Sequence, residues 1–231
     1  MTKEEFRAVM EAELGWRQEE LAFLKNQIGN ISEEIQKNKY RKSLVLMLYS
    51  HFEGFIKICL LSYIQYINSL HLKRGCFTKK LIVSSMNREF NAYDNNDEQC
   101  KILKKQLPED SRLHRYHRRV NFLEQLNEFE EEELQIPDEA INTESNLWYV
   151  VLQKNLYKVG LPIDLFDEFA GDIDALVNRR NSIAHGTERA GVTATEYTRW
   201  EENTYNIMED IIRCIYNNVC QEQYLKENEV V

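Results

Sequence analysis

The sequence is poor in residues that interrupt regular structure. Eight glycines and three prolines in 231 residues leave little punctuation for the short strands and tight turns of an all-β domain. Long helices, and an all-α fold, are therefore the expectation. Five cysteines, at 59, 76, 100, 214 and 220, are odd in number and include no Cys-x-x-Cys pair. Reduced thiols in an intracellular, cytoplasmic setting follow, with Cys59 and Cys214 serving as small apolar residues on helix faces. The acidic, polar N-terminal stretch has no secretory signal character. No Gly-x4-Gly-Lys-Ser/Thr or Gly-x-Gly-x-x-Gly loop is present, so the standard ATP and NAD cradles are unsupported. Gly-x-Ser-x-Gly is absent too. Acidic clusters with metal-site spacing are missing around the residues singled out below, and neither metal nor cofactor is expected. The most apolar window, residues 44–67, is interrupted by His51, Glu53, Lys57 and Gln65, which marks a core helix and no membrane span.

Charge of one sign is in excess. The formal balance of −9 argues against a protein that coats nucleic acid by bulk electrostatics, so any RNA contact must use a local basic patch. With 43% apolar and 29% charged residues the chain reads as soluble and globular. Its length suits one domain, residues 1–231, carrying an insertion at about 71–140.

Apolar spacing gives the helices. Thr2 with Glu5 has capping-box spacing, and a 3-4 stripe runs from Phe6 to Ile35, with a kink expected near Gly15. Residues 41–70 are apolar around nearly the whole helix circumference; only Ser50, Glu53, Gly54 and Lys57 share a polar face. That face is either a solvated edge with a Glu53–Lys57 pair or the wall of a cleft, where Gly54 would permit close approach. His51, off this stripe, is expected to pack. Residues 142–158 resume the helical pattern until Gly160. Asp164 is the expected N-cap of the next helix, and Thr193 with Glu196 begins a long final one.

The chain is organised around residues 173–186. Phe166, Ile173 and Arg180 recur every seven residues, within about 20° of one another on a helix. Arg180 thus occupies a position where an amphipathic helix should place an apolar side chain. An inward guanidinium is costly unless it is paired or lines a solvated cleft. Glu53 is the natural partner if the two helices pack together. His185, suited to proton transfer near neutral pH, follows five residues later, with Gly186 as a helix stop. An ideal helix sets Arg180 and His185 about 140° apart, so they converge only if the helix deforms or two copies of the motif face each other.

Arg180-Asn181-Ser182-Ile183-Ala184-His185, an Arg-x4-His pattern with a polar residue directly after the arginine, resembles the signature of the HEPN superfamily. Tyr49-Ser50-His51-Phe52-Glu53-Gly54-Phe55 and Ser145-Asn146-Leu147 strengthen the likeness, which covers roughly residues 1–70 and 140–231. The resemblance implies an antiparallel helical bundle and, in many members, a metal-independent ribonuclease of toxin–antitoxin, phage-defence or CRISPR systems. It also implies a homodimer whose composite cleft brings two motifs together. A regulatory partner such as an antitoxin is implied, although the Tyr that nucleotidyltransferase antitoxins modify two residues after the His is replaced here by Thr187.

The residues suit that chemistry. RNA carries its own nucleophile, the 2′-OH, so His185 for proton transfer and Arg180 for charge neutralisation suffice, with Asn181 and Glu53 completing the candidate catalytic set. Residues 112–119 gather Arg112, Arg115, Arg118 and Arg119 around Tyr116, as a phosphate-tracking surface with one stacking platform needs. Arg115, Arg118, Arg119 and Arg179 are the candidate RNA contacts. A solvated helix face accounts for the same block, and His114 with His117 only weakly suggests a metal. The acidic run at 128–133 could neutralise the basic block. The competing function is a non-catalytic binding or scaffold module in which Arg180 and His185 merely organise the core.

Overall fold

Thr2 and Thr193 each stand three residues before a glutamate, and both form complete capping boxes. The Thr2 hydroxyl accepts from the Glu5 N–H at 3.1 Å while Glu5 Oε2 accepts from the Thr2 N–H at 2.8 Å. Thr193 and Glu196 repeat the arrangement at 3.2 and 2.9 Å. Each box satisfies two donors that a helix start leaves orphaned. The helices so begun are α1 (Lys3–Asn26) and α8 (Ala194–Cys220). The computed structural model describes residues 2–95, 99–105, 107–108, 111–187 and 189–226.

The helix between them in the bundle is α2 (Glu34–Asn68), long and apolar enough to cross a membrane by length and composition, yet packed against three others. Leu48, Phe52, Phe55, Ile56 and Ile64 are fully buried or nearly so. Burying each such side chain contributes roughly 1.5–3 kcal/mol. Phe6 meets Tyr66, Trp16 meets His51, and Leu24 O accepts from Tyr40, so α1 and α2 run antiparallel. The α1 helix is continuous through Gly15. His51 is packed as expected, buried with Nε2 2.8 Å from Glu20.

The fourth member is α7 (Ala170–Ala184), which buries Ile173, Leu176 and Val177. It lies antiparallel to α8, where Asp172 holds Asn203 at 2.7 Å and Arg199 at 3.1 Å. Its start differs from expectation. Asp164 caps nothing; a turn and a short 3-10 segment (Asp167–Phe169) precede the helix, because fully buried Phe166 anchors the chain before α7 begins. The helix α6 (Tyr149–Lys158) is likewise shorter than the expected 142–158, and its first N–H is capped from outside by Asp174 of α7 at 2.9 Å.

Residues 71–140 carry α3 (Lys79–Ser85), α4 (Asn87–Asp94) and α5 (Arg112–Glu131). Phe77 and Leu81 enter the main core, while Phe90, Tyr93, Phe122 and Phe129 form an aromatic cluster between α4 and α5. The acidic run does not neutralise residues 112–119. Glu131 pairs with Lys73, Glu132 with Arg74 and Glu133 with His71. The isolated bridge between Lys73 and Glu133 brings these two segments side by side, which decides the pairing. Among the described residues there is no β-strand, only this bridge and one between Phe77 and Leu225. The chain is all-α, as expected.

After α7 the chain returns across the start of α2, where the Val192 N–H donates to Asn38 O at 2.8 Å. A Cβ at Gly191 would lie 2.4 Å from Asn38 Cβ and 2.7 Å from its carbonyl carbon, so backbone would have to move. Gly191→Ala should cost about 1–3 kcal/mol in chemical denaturation, as overpacking does. Gly15→Ala, which meets nothing within 4 Å, should instead raise stability by roughly 0.5–1 kcal/mol.

Candidate functional site

The motif helix ends in a manner its sequence dictates. Gly186 has φ +70°, which favours glycine, and its N–H donates to Ile183 O at 3.1 Å while the Thr187 N–H reaches Ser182 O at 3.0 Å. This double bond pattern is a Schellman motif with His185 as C-cap. His185 is therefore fixed in its backbone and exposed in its side chain.

One turn earlier, Arg180 lies half-buried on the wall of a groove of about 400 Å³. Ser50, Glu53, Gly54 and Lys57, the polar stripe of α2, line the opposite side, with Thr143 from the 141–148 loop. The stripe is thus a cleft wall. A Cβ at Gly54 would make ordinary contact, 3.8 Å from Arg17 Nη2, so no close approach by another helix depends on this glycine.

Arg180 is held by neutral groups. Its Nη1 donates to Asn146 Oδ1 at 3.0 Å and to Asn181 Oδ1 at 2.8 Å, and its Cζ sits 4.9 Å from the centre of the Tyr49 ring. The Tyr49 hydroxyl accepts from the Leu147 N–H at 2.8 Å, and the Glu53 carboxylate lies on the same side of α2, one turn further on. Burial pushes this hydroxyl far above the ordinary tyrosine range, and Glu53 adds to the effect against the opposing pull of the Leu147 N–H and Arg180. Tyr49 is a donor at every physiological pH.

The expected Glu53–Arg180 ion pair is not made, and neither is a Glu53–Lys57 pair, among the described residues. Tyr49, one turn before Glu53 on α2, sets its ring face against the guanidinium, and the amide oxygens of Asn146 and Asn181 take the hydrogen bonds that a carboxylate would otherwise accept. Of the expected catalytic residues, Arg180, Asn181 and Glu53 gather around the groove. His185 lies past its end, and no hydrogen bond joins it to Arg180 among the described residues. Sequence reasoning missed Tyr49 and Asn146 as site residues. The signal was there: both belong to the stretches that carried the family resemblance, without a role assigned.

The expected RNA contacts divide. Arg179 is partly exposed and donates to Gly191 O at 2.8 Å, which fastens the loop after the motif. Arg118 is buried, its Nε on Tyr93 O at 2.9 Å. Arg115 and Arg119 are exposed on the outer face of α5, beside Tyr116, which is 64% exposed. His114 is buried and accepts from the Cys100 N–H, while His117 meets Asn121, so the two histidines are occupied separately. No cluster of three or more His, Cys, Asp or Glu is placed to hold a metal among the described residues.

Residues 12–217 match the model of the family described as RiboL-PSP-HEPN, a span that takes in every stretch meeting at the groove. The chain belongs to the HEPN superfamily. Membership points to a nuclease or other RNA-related function. Comparison with curated proteins gave no match, and comparison with solved structures gave none.

The division within α5 of this HEPN chain is measurable. Arg118→Ala should destabilise the protein by roughly 1–3 kcal/mol, since it strands the Tyr93 carbonyl and removes buried packing. Arg115→Ala and Arg119→Ala should each stay within about 0.5 kcal/mol of wild type in thermal or urea unfolding.

Proposed function

We propose that the protein is a metal-independent endoribonuclease that cleaves by transesterification, serving as a toxin or phage-defence effector in the cytoplasm. The observation that carries this reading is Arg180: a cation lining an open groove, with no carboxylate paired to it among the described residues. Such a group is suited to a phosphodiester whose negative charge grows in the transition state. His185 takes the 2′-OH proton, O2′ attacks phosphorus, and the 5′-oxygen leaves with a proton from a second histidine. The products are a 2′,3′-cyclic phosphate and a 5′-OH. DNA, lacking the 2′-OH, is inert.

Because His185 stands outside the groove of its own chain, the reading calls for a second copy. A two-fold homodimer would set His185 of each chain near the groove between them, one acting as base and the other as acid. An antitoxin or other regulatory protein would have a target in the exposed helix end at His185. The same exposed, unbonded His185 is what favours the rival reading, a non-catalytic HEPN module that binds RNA or protein.

Purified protein should cut labelled single-stranded RNA in EDTA, leaving cyclic phosphate ends. His185→Ala and Arg180→Ala should each lower the rate by about 10²–10⁴-fold without loss of fold. Light scattering at micromolar concentration should give a dimer mass. Cleavage that requires Mg²⁺ and leaves 3′-OH ends, or variants that cut as well as wild type, would refute the mechanism. Exchanging Arg115 and Arg119 together for alanine should weaken RNA binding and reduce the salt slope by about 0.7 for each phosphate that these arginines neutralise. An unchanged slope would make that face of α5 a solvated surface.

A further inference from the structure

Two features of the groove are not explained by packing alone. Both hydrogen bonds to Arg180 fall on one nitrogen, Nη1, and both acceptors are amide oxygens. Nε and Nη2 have no protein partner among the described residues, and the side chain is half-exposed along the groove. Glu53 lines the same groove but forms no ion pair with Arg180 among the described residues.

Tyr49 acts in two directions at once. Its ring face supports the guanidinium, and its hydroxyl grips the Leu147 N–H, which fixes the loop residue next to Asn146. Leu147 is itself fully buried, so the loop is anchored on both sides of its backbone. Asn146 is thereby presented to Arg180 as a rigid neutral acceptor. A carboxylate in the same place would hold the arginine more tightly and also cancel its charge.

We infer that Tyr49 and Asn146 are positioning residues of an anion site. They form a neutral cradle that keeps Arg180 fully charged and turns its two remaining donor positions, Nε and Nη2, toward two oxygens of one phosphate group. The inference rests on the ribonuclease reading only for the identity of the phosphate, a diester of RNA. The fork of an arginine matches paired phosphate oxygens, and the match requires that the opposite edge be held.

Asn146→Asp separates this from a purely structural tie. The substitution is nearly isosteric and converts a neutral hydrogen bond into a charge-assisted one. If Arg180 and Asn146 serve only to hold the helices together, wild type shows no saturable phosphate shift, and the variant is merely as stable or more so. In the cradle, stability is likewise retained or raised, but the anion site is neutralised. The probe is inorganic phosphate, titrated against the Arg180 side-chain N–H signal in NMR, assigned by its loss in Arg180→Lys. Wild type should show a saturable shift, Asn146→Asp should bind at least about tenfold more weakly, and cleavage of single-stranded RNA should fall in parallel. Tyr49→Phe, which keeps the ring and removes the hydroxyl, should lower the melting temperature. It should also weaken phosphate binding less than Asn146→Asp does.

Phosphate affinity and cleavage unchanged in a folded Asn146→Asp would overturn the inference. A wild type that binds phosphate through Arg180 and loses that binding in Asn146→Asp, yet cuts no RNA, would uphold the cradle and dismiss the ribonuclease reading.

Discussion

The arrangement depends on getting one guanidinium out of water without cancelling its charge. Complete transfer of such an ion to a dry interior costs on the order of 20 kcal/mol in the idealised limit. Arg180 avoids most of that cost by remaining half-exposed along the groove. Two hydrogen bonds from a charged donor are worth roughly 1.5–3 kcal/mol each, and the Tyr49 ring face adds about 0.5–2 kcal/mol. Those contributions are of the size needed to offset partial desolvation. A third, ionic partner is not required, and the structure does not supply one. Asn181 is the cheapest of the acceptors, since it follows Arg180 on the same helix. Asn146 is the expensive one, held out on a loop, and the buried hydroxyl of Tyr49 fixes the residue beside it.

The helix α2 serves both needs because its two faces differ so sharply. Its apolar circumference is the centre of the bundle, contacted by α1, α7 and α8. A single narrow stripe of Ser50, Glu53, Gly54 and Lys57 escapes that packing and becomes the groove wall. Tyr49 sits at the border of the two. Its ring is buried with the core and its hydroxyl reaches the polar side. Stability and site geometry are joined at that residue, so the groove inherits the rigidity of the bundle.

How much of this was legible in the sequence follows from the range of the interactions. Helix identity, both capping boxes and the central place of residues 41–70 depend on spacings of three or four residues, and they were readable. So was Arg180, a cation on an apolar stripe. The direction of its pairing was not. A carboxylate and an inward arginine on neighbouring helices suggest an ion pair, but the choice between Glu53 and Asn146 is made by the loop at 141–148, whose path no periodicity encodes. The start of α7 failed for a similar reason: Asp164 has cap chemistry, and buried Phe166 overrides it. The basic block failed in part because a run of like charges does not tell which side chains a helix turns inward. Arg118 is spent on Tyr93 O, while Arg115 and Arg119 face outward.

The Schellman stop at Gly186 places a further constraint on function. Arg180 near the end of α7 and His185 at its C-cap are set well apart around the helix axis, and the stop at Gly186 holds the His185 backbone in that place. The return path is tied down as well: Arg179 donates to Gly191 O, and the Val192 N–H to Asn38 O at the start of α2. On the proposed ribonuclease reading, an intramolecular mechanism would have to bring the Arg180 and His185 side chains to one phosphate across that separation. A symmetric pairing needs only that two such ends approach, each lending its histidine to the shared groove. Between a deformation opposed by several fixed contacts and an association opposed by none of them, the second is the smaller demand.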